Sequence, residues 1–166
     1  LEALLVQGDL SKLNTTEKLE YYLNVCESLG LNPTTTPFCY IRLNNKLTLY
    51  ATKSCTDQLR RIYGVSVTSC VASLVEGIYC IVATGSDKTG RTDTEMGAVA
   101  MGKLQGEAKA NAMMKAQTKA KRRLTLSLCG LGMLDETEVE TIPNAVTTKP
   151  EVAHGVIEHN VDVSEL

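Results

Sequence analysis

The hydrophobic positions near the start of the chain follow a helical period. Apolar residues recur at helical spacing over residues 15–30 and predict a helix there. Asn14, Thr15 or Thr16 can cap its start, because a side-chain oxygen at that position accepts a hydrogen bond from an unpaired backbone amide. Gly30 ends the helix. The apolar stripe consists of Leu19, Tyr22, Leu23, Cys26 and Leu29.

The period then shortens to that of β-strands. Asn44-Asn45 separates two short β-prone runs, and asparagine tolerates the positive φ of a tight turn, so the sequence predicts a β-hairpin. A short helical stretch follows, with Thr52 before it and Gly64 after it. The elements predicted here are strands at residues 38–43, 46–51, 65–73, 77–84 and 91–98, a helix at 52–63 and a turn at 85–90.

The longest helical stretch covers residues 103–129 and is rich in Ala, Lys, Met and Leu, which favour helices. Beyond Pro143 no periodicity is visible, and we expect residues 144–166 to be flexible. The order helix, small antiparallel sheet, long helix predicts an α+β fold. We therefore divide the chain into a body, residues 1–140, and an acidic tail, residues 141–166.

Charge is distributed unevenly along the chain. The net charge is −2, but residues 1–134 carry 16 Lys and Arg against 11 Asp and Glu, a net of +5. Residues 135–166 carry one Lys against 8 acids, a net of −7. A basic body followed by an acidic end is typical of proteins that bind nucleic acid.

The long helix carries the strongest candidate for such binding. At about 100° per residue, Lys115, Lys119 and Arg122 lie within roughly 60° of one another and form a cationic row. Their spacing along the axis is comparable with that of DNA phosphates, so the row could follow a DNA backbone. The basic residues of this stretch are Lys103, Lys109, Lys115, Lys119, Lys121, Arg122 and Arg123. The other side of the helix can pack on the sheet and holds Met113, Ala116, Ala120, Leu124 and Leu128.

A solvated helix face is the alternative interpretation of the row. It is weakened because Glu107 is the one acid within this stretch, so salt bridges along the helix cannot offset the repulsion between cations. Other basic residues become part of a site only if the fold brings them beside the long helix, and Tyr40 and Tyr50 either stack bases or pack inside the sheet. These other basic residues are Lys53, Arg60 and Arg61 on the short helix and Lys88 and Arg91 near the turn.

Several classes of function are disfavoured. The segment 85–90 lacks the Lys-Ser/Thr ending of a phosphate-binding loop, and His154 and His159, the only histidines, both lie in the tail, away from any nucleophile. We predict no enzyme activity, no metal and no cofactor. No apolar run reaches the roughly 18 residues that span a bilayer, so we expect neither an integral membrane protein nor a membrane partner. Unpaired cysteines suit a reducing cytoplasm, and we expect the protein to be located there. Six single cysteines, none in a CxxC pair, predict free buried thiols: Cys26, Cys39, Cys55, Cys70, Cys80 and Cys129.

Three motifs, in order, resemble those of the RecT and Red-beta family of phage single-strand annealing proteins. Gly30-Leu31-Asn32-Pro33 closes a helix and leads into a strand. Lys115-Ala116 and, eight residues after Lys115, Arg123-Leu124 follow on the long helix, which ends in glycines and acids. The resemblance covers roughly residues 15–140. Thr34 stands where a relative carries an aromatic residue, and the chain has no Trp, so phosphate contacts gain weight over base stacking.

The resemblance implies both a fold and an activity. It implies a small curved antiparallel sheet with a short helix, packed on a long basic helix. It also implies that the chain binds single-stranded DNA and the annealing duplex intermediate, without nucleotide, as a ring or helical homo-oligomer in recombination. By position, Lys115 and Arg123 are the implied DNA contacts. A phage exonuclease or the host single-strand-binding protein is an implied partner, although the short acidic tail weakens that expectation.

Two other functions fit the same sequence pattern. A small antiparallel sheet with a helix is also the outline of a double-stranded-RNA-binding module. A non-enzymatic interaction domain could instead use the basic helix to dock an acidic partner. Preference for duplex RNA would favour the first alternative, and indifference to any nucleic acid would favour the second.

Overall fold

The computed structural model describes residues 8–150, and they form an α+β fold. Two short 3-10 turns, Leu10–Lys12 and Pro33–Thr35, accompany the regular elements. The helices are α1 (Thr15–Leu29), α2 (Lys53–Tyr63), α3 (Gly106–Leu128) and the single-turn α4 (Glu136–Val139), and the strands are β1 (Phe38–Leu43), β2 (Lys46–Ala51), β3 (Ser66–Val75), β4 (Ile78–Ser86), β5 (Thr92–Ala100) and β6 (Val146–Thr148).

Two antiparallel three-stranded sheets replace the single small sheet that the sequence predicted. The first has the order β2-β1-β6 and the second β3-β4-β5. The predicted hairpin between β1 and β2 is confirmed, with Asn44 and Asn45 at φ 48° and 62°. The predicted turn at residues 85–90 is shorter than expected, because β4 continues to Ser86.

The first sheet corrects one expectation about the tail. Val146–Thr148 pairs with β1, with Tyr40 opposite Thr148, so the prediction of a flexible segment is wrong for these three residues. Sequence periodicity does not reveal this strand, because it has three residues and all of them are exposed. Residues 151–166, the rest of the predicted tail, lie outside the described residues.

Helix α1 forms where its apolar stripe and its capping residue predict it. The Asn14 side chain accepts from the Glu17 amide at 2.9 Å, and the Glu17 carboxylate accepts from the Asn14 amide at 2.8 Å, a reciprocal capping box. Gly30 closes the helix in the left-handed conformation, at φ 70°. Tyr22 and Cys26 then pack into a core with Phe38 from the first sheet.

Helix α3 covers one face of the second sheet and joins the two halves of the molecule. Ala116, Ala120 and Leu124 are fully buried, as the sequence predicted for that face, and pack in a core with Ile81 of β4. Leu126 points into the other core, between α1, α2 and the first sheet. The expectation that Met113 is buried is wrong, since its side chain is 37% exposed.

Close contact between α3 and β5 requires a glycine. Any Cβ on Gly97 would overlap the Ala116 carbonyl oxygen and the Ala120 amide nitrogen. The helix axis therefore lies close to the strand, and this brings the β5 residues that face α3 within reach of its charged side chains.

The structure bears on two expectations from composition, one about the cysteines and one about membrane-spanning helices. The six cysteines are free, but only three are buried, and Cys70 lies exposed on β3. Burial raises the pKa of the Cys55 thiol to about 12, so this thiol stays protonated at neutral pH.

Between residues 8 and 150, no helix combines the length and the apolar character that crossing a bilayer demands.

Candidate nucleic-acid interface

Two of the three cations in the predicted row on α3, Lys115 and Arg122, are paired with carboxylates. The Lys115 ammonium lies 2.7 Å from Glu140, with both side chains partly exposed. The Arg122 guanidinium lies 3.5 Å from Asp135 and 3.6 Å from Glu136. These acids come from α4 and its flanks, so the row presents less positive charge than its sequence indicates.

Arg123 sits between acids from two different elements. Its guanidinium donates to Glu95 of β5 at 3.2 Å and also to Glu138 of α4. Burial alone would lower the pKa of Arg123, but the Glu138 and Glu95 carboxylates raise it. The side chain is 39% exposed and therefore still reaches solvent at one edge.

The acid-rich residues 135–140 are anchored to the rest of the fold and do not merely lie on its surface. Asp135 has no exposed side-chain area and caps α4, in a capping box with Glu138. The Leu134 carbonyl accepts from the Ala51 amide of β2 at 2.9 Å. Val139 is buried in a small cluster against the first sheet. The sequence does not predict these pairings, because they join α3 to acids of a different element.

Three other predicted contacts on or near α3 have different surroundings. Lys119 and Lys121 are half-buried, and neither has a carboxylate within salt-bridge distance among residues 8–150. Lys103 is exposed but precedes the helix, which begins at Gly106, so the predicted start at residue 103 is wrong.

A second cationic surface forms where α2 ends. Arg60 and Arg61 occupy the last turn of α2. The Lys88 amide donates to the Tyr63 carbonyl at 3.2 Å, and the Lys88 ammonium donates to the Ile62 carbonyl at 3.1 Å. The turn between β4 and β5, which also carries Arg91, therefore lies directly on the end of α2. We call the surface made by Arg60, Arg61, Lys88 and Arg91 the α2-end patch.

Asp87, the acid within the turn that carries Lys88 and Arg91, is held by hydrogen bonds of that turn. The Asp87 carboxylate accepts from the Thr89 hydroxyl at 2.6 Å and from the Arg91 amide at 3.1 Å, so it is turned into the loop. These contacts, the Thr89 hydroxyl foremost, lower the pKa of Asp87. Of the described residues, none places a carboxylate within salt-bridge distance of the four basic side chains.

Gly64 makes the docking of this turn possible. It closes α2 at φ 61°, and a Cβ added to it would lie 2.9 Å from the Lys88 Cβ. A side chain at this position would push the turn away from the helix. Along the sequence, the basic residues of the short helix and those of the turn are separate candidates for DNA contacts. The fold brings the two segments together.

Lys53 is not part of the α2-end patch. It begins α2, about 12 Å along the axis from Arg61, and pairs with Asp57 at 3.3 Å. The Lys53 amide donates to Glu136 at 3.0 Å, so a carboxylate already occupies this helix N-terminus. The structure therefore separates Lys53 from the other basic residues of α2.

The tyrosines and the acids of β5 lie inside the fold. Tyr40 and Tyr50 are 7% and 8% exposed, which confirms the packing alternative over base stacking. Asp93 and Glu95 face α3 and accept from Ser127 and Arg123, so they belong to the contact between β5 and α3. An open cleft of about 450 Å³ lies between Arg123, the chain segment 130–134 and α4.

No protein-family model, curated protein or solved structure matches the chain. The resemblance to the RecT and Red-beta family therefore stays a prediction from motifs. Within the part of the chain that the structure describes, no group of three His, Cys, Asp or Glu side chains is placed to hold a metal ion. His154 and His159 lie outside that part.

Proposed function

We propose that this chain binds single-stranded DNA through its phosphates and anneals complementary strands without ATP. In this proposal it is a non-enzymatic subunit of a homo-oligomer that acts in recombination in a bacterial cytoplasm. The observation that carries the proposal is the α2-end patch, in which the turn that carries Lys88 and Arg91 contacts the end of α2, where Arg60 and Arg61 lie.

The ion pairs of Lys115 and Arg122 make these two residues weaker candidates for phosphate contacts than their sequence pattern indicates. A phosphate that binds Lys115 must displace Glu140, and one that binds Arg122 must compete with two carboxylates. No carboxylate of the described residues lies within salt-bridge distance of the α2-end patch, although the charge of Arg91 helps to lower the pKa of the nearby Asp87 and Asp93. We therefore assign the first phosphate contacts to this patch and the next to Lys119 and Lys121, with Lys103, Lys115 and Arg123 at the margins of the surface.

Annealing places three physical demands on such a surface. Repulsion between strands must fall, which cations achieve by releasing counterions from DNA. Base edges must remain accessible, and contacts to phosphates alone leave them so. The strands must also be held together while they sample registers, and an oligomer raises their effective concentration. Base pairing then supplies the driving force, so no nucleotide is consumed.

The α2-end patch can be tested by the salt dependence of binding. We expect Arg61→Ala and Arg91→Ala each to weaken binding of a fluorescent oligonucleotide and to reduce the slope of log K against log salt by about 0.7. Lys46→Ala is the matched control, an exposed cation on the first sheet. Fluorescence anisotropy from low to moderate salt measures both quantities.

Three results would count against this assignment. A wild-type slope near zero would remove phosphate binding altogether. Equal slopes for the wild type, Arg61→Ala and Arg91→Ala would remove the α2-end patch from the site. Tighter binding to duplex RNA than to single-stranded DNA would favour the RNA-binding alternative.

A further inference from the structure

One face of the second sheet carries no other element of the described chain. Helix α3 packs on the face that presents Ile81, Ala83 and Gly97. The opposite face, which we call the outer face, is formed by five positions on each of three strands, fifteen in all: Ser66, Ser69, Val71, Ser73 and Val75 of β3, Ile78, Cys80, Val82, Thr84 and Ser86 of β4, and Thr92, Thr94, Met96, Ala98 and Ala100 of β5.

The composition of the outer face is unusual for a surface in contact with water. None of its fifteen positions is charged, although 22% of the chain is charged. Val71, Val75 and Met96 are 62%, 58% and 52% exposed. An antiparallel sheet with one solvated face normally alternates apolar and polar residues, and here the solvated face is itself apolar over half its length.

The edge beside this face also lacks the usual protection against association. Strand β3 is an outer strand of its sheet, and its ten residues include no proline and no charge. Edge strands of monomeric proteins are commonly blunted by lysine, proline or inward-pointing charges. A large exposed apolar patch on a protein marks a surface that binds another molecule.

We propose that the outer face packs against the outer face of a second copy of this chain. An uncharged surface fits only a partner that buries no unpaired charge on it, and the same face of a second copy meets that condition. The two sheets would form a sandwich about 10 Å thick, related by a two-fold axis. This inference does not depend on DNA binding.

The area of the outer face sets the expected affinity of the dimer. Three strands spaced about 4.8 Å apart and nine residues long cover roughly 400 Å² per copy. The two copies together would bury roughly 800 Å², less than the roughly 1,200–2,000 Å² of stable complexes, so the dimer should be weak and should dissociate at micromolar concentration. The α2-end patch is carried by α2 and the β4–β5 turn, outside the apolar half of the face, so the dimer would present two such patches.

The test is a comparison of two lysine substitutions on opposite faces of one sheet. Met96→Lys puts a charge on the outer face, on β5, two strands away from the β3 edge. Leu74→Lys is the matched control, because Leu74 is 64% exposed on β3 but points to the α3 side of the sheet. Sedimentation velocity without DNA, from a few micromolar to a few hundred micromolar, measures the mass.

We expect the wild type and Leu74→Lys to rise with concentration from the chain mass, 18.0 kDa, to twice that value, and Met96→Lys to remain at the chain mass. A wild type that stays monomeric throughout would overturn the proposal. So would association of Met96→Lys equal to that of the wild type, or loss of association in Leu74→Lys alone, which would indicate pairing through the strand edge. DNA binding by Met96→Lys is measured separately. If this variant stays monomeric but binds DNA as the wild type does, the proposed DNA binding is independent of the dimer.

Discussion

At the scale of single residues, Arg122 behaves as part of the fold. Its side chain is 14% exposed, and its partner Asp135 is fully buried. Burial raises the pKa of Asp135, which the Thr137 hydrogen bond and the Arg122 charge oppose. An arginine held in this way stabilises α4 on α3, so its contribution to the fold must be separated from any contact with DNA.

Removing Arg122 should therefore destabilise the protein. Arg122→Ala leaves the Asp135 carboxylate buried without its cation, and breaking such a buried pair costs about 3–5 kcal/mol. The free energy of unfolding in urea measures the effect, and Lys119→Ala, which breaks no ion pair described here, should change it by less than about 0.5 kcal/mol. Equal stability of the two variants would show that the pair does not hold α4.

Asp9 gives a prediction about pH. Its carboxylate accepts from the Leu47 amide at 2.9 Å and from the Ser11 amide at 3.0 Å, and these bonds lower the pKa of Asp9 to about 2. Because the folded-state pKa lies below the ordinary 3.8, the stability that Asp9 contributes is present above pH 4 and is lost as the pH falls through the folded-state pKa.

Asp9→Asn should then unfold at a lower urea concentration than the wild type at pH 6. The gap between their midpoints should shrink steadily from pH 4 to pH 2. A gap that stays constant over this range would mean that the charge of Asp9 does not contribute to stability. Urea titrations of both proteins at matched pH values measure it.

At the scale of elements, the contact between β5 and α3 depends on the absence of a side chain at Gly97. We expect Gly97→Ala to destabilise the fold by about 3 kcal/mol or more, because the new Cβ meets helix backbone that cannot move aside. Gly132→Ala is the control: its Cβ would have no atom within 4 Å, and its φ is not positive. Thermal unfolding of both variants distinguishes them, and a Gly97→Ala protein as stable as the control would contradict the packing described.

The elements differ in how far the sequence predicts them. The stripe and capping residue of α1, the asparagine turn of the first hairpin and the buried alanines and leucines of α3 are local patterns, and each is confirmed. Strand β6 and helix α4 depend on partners far away in sequence, β1 for one and α3 with β2 for the other. No local period signals such pairing, and so the sequence assigned β6 to a flexible tail.

The candidate site also combines local features, which the sequence predicts, with contacts between distant residues, which it does not predict. The individual basic residues could be found from the sequence, but their neighbours could not. Glu140 and Asp135 neutralise cations on a helix that carries few acids of its own. The approach of the Lys88 turn to the end of α2 gathers four cations that seemed unrelated along the chain.

At the scale of the whole molecule, the basic body and the acid-rich region that follows it are not separate. The acids of residues 135–140 fold back on α3, and positive charge remains available where α2 ends. The outer face of the second sheet is uncharged and is apolar over half its length. One surface suited to phosphates and another suited to a second copy are what a strand-annealing assembly requires.

The most direct test of this account is the annealing of two complementary fluorescent oligonucleotides by the full chain in EDTA, without nucleotide, against a reaction without protein. We predict clear acceleration that disappears at high salt and is reduced when Arg61 and Arg91 are both replaced by alanine, while Lys46→Ala anneals as the wild type does. An annealing rate equal to that of the reaction without protein would contradict the account.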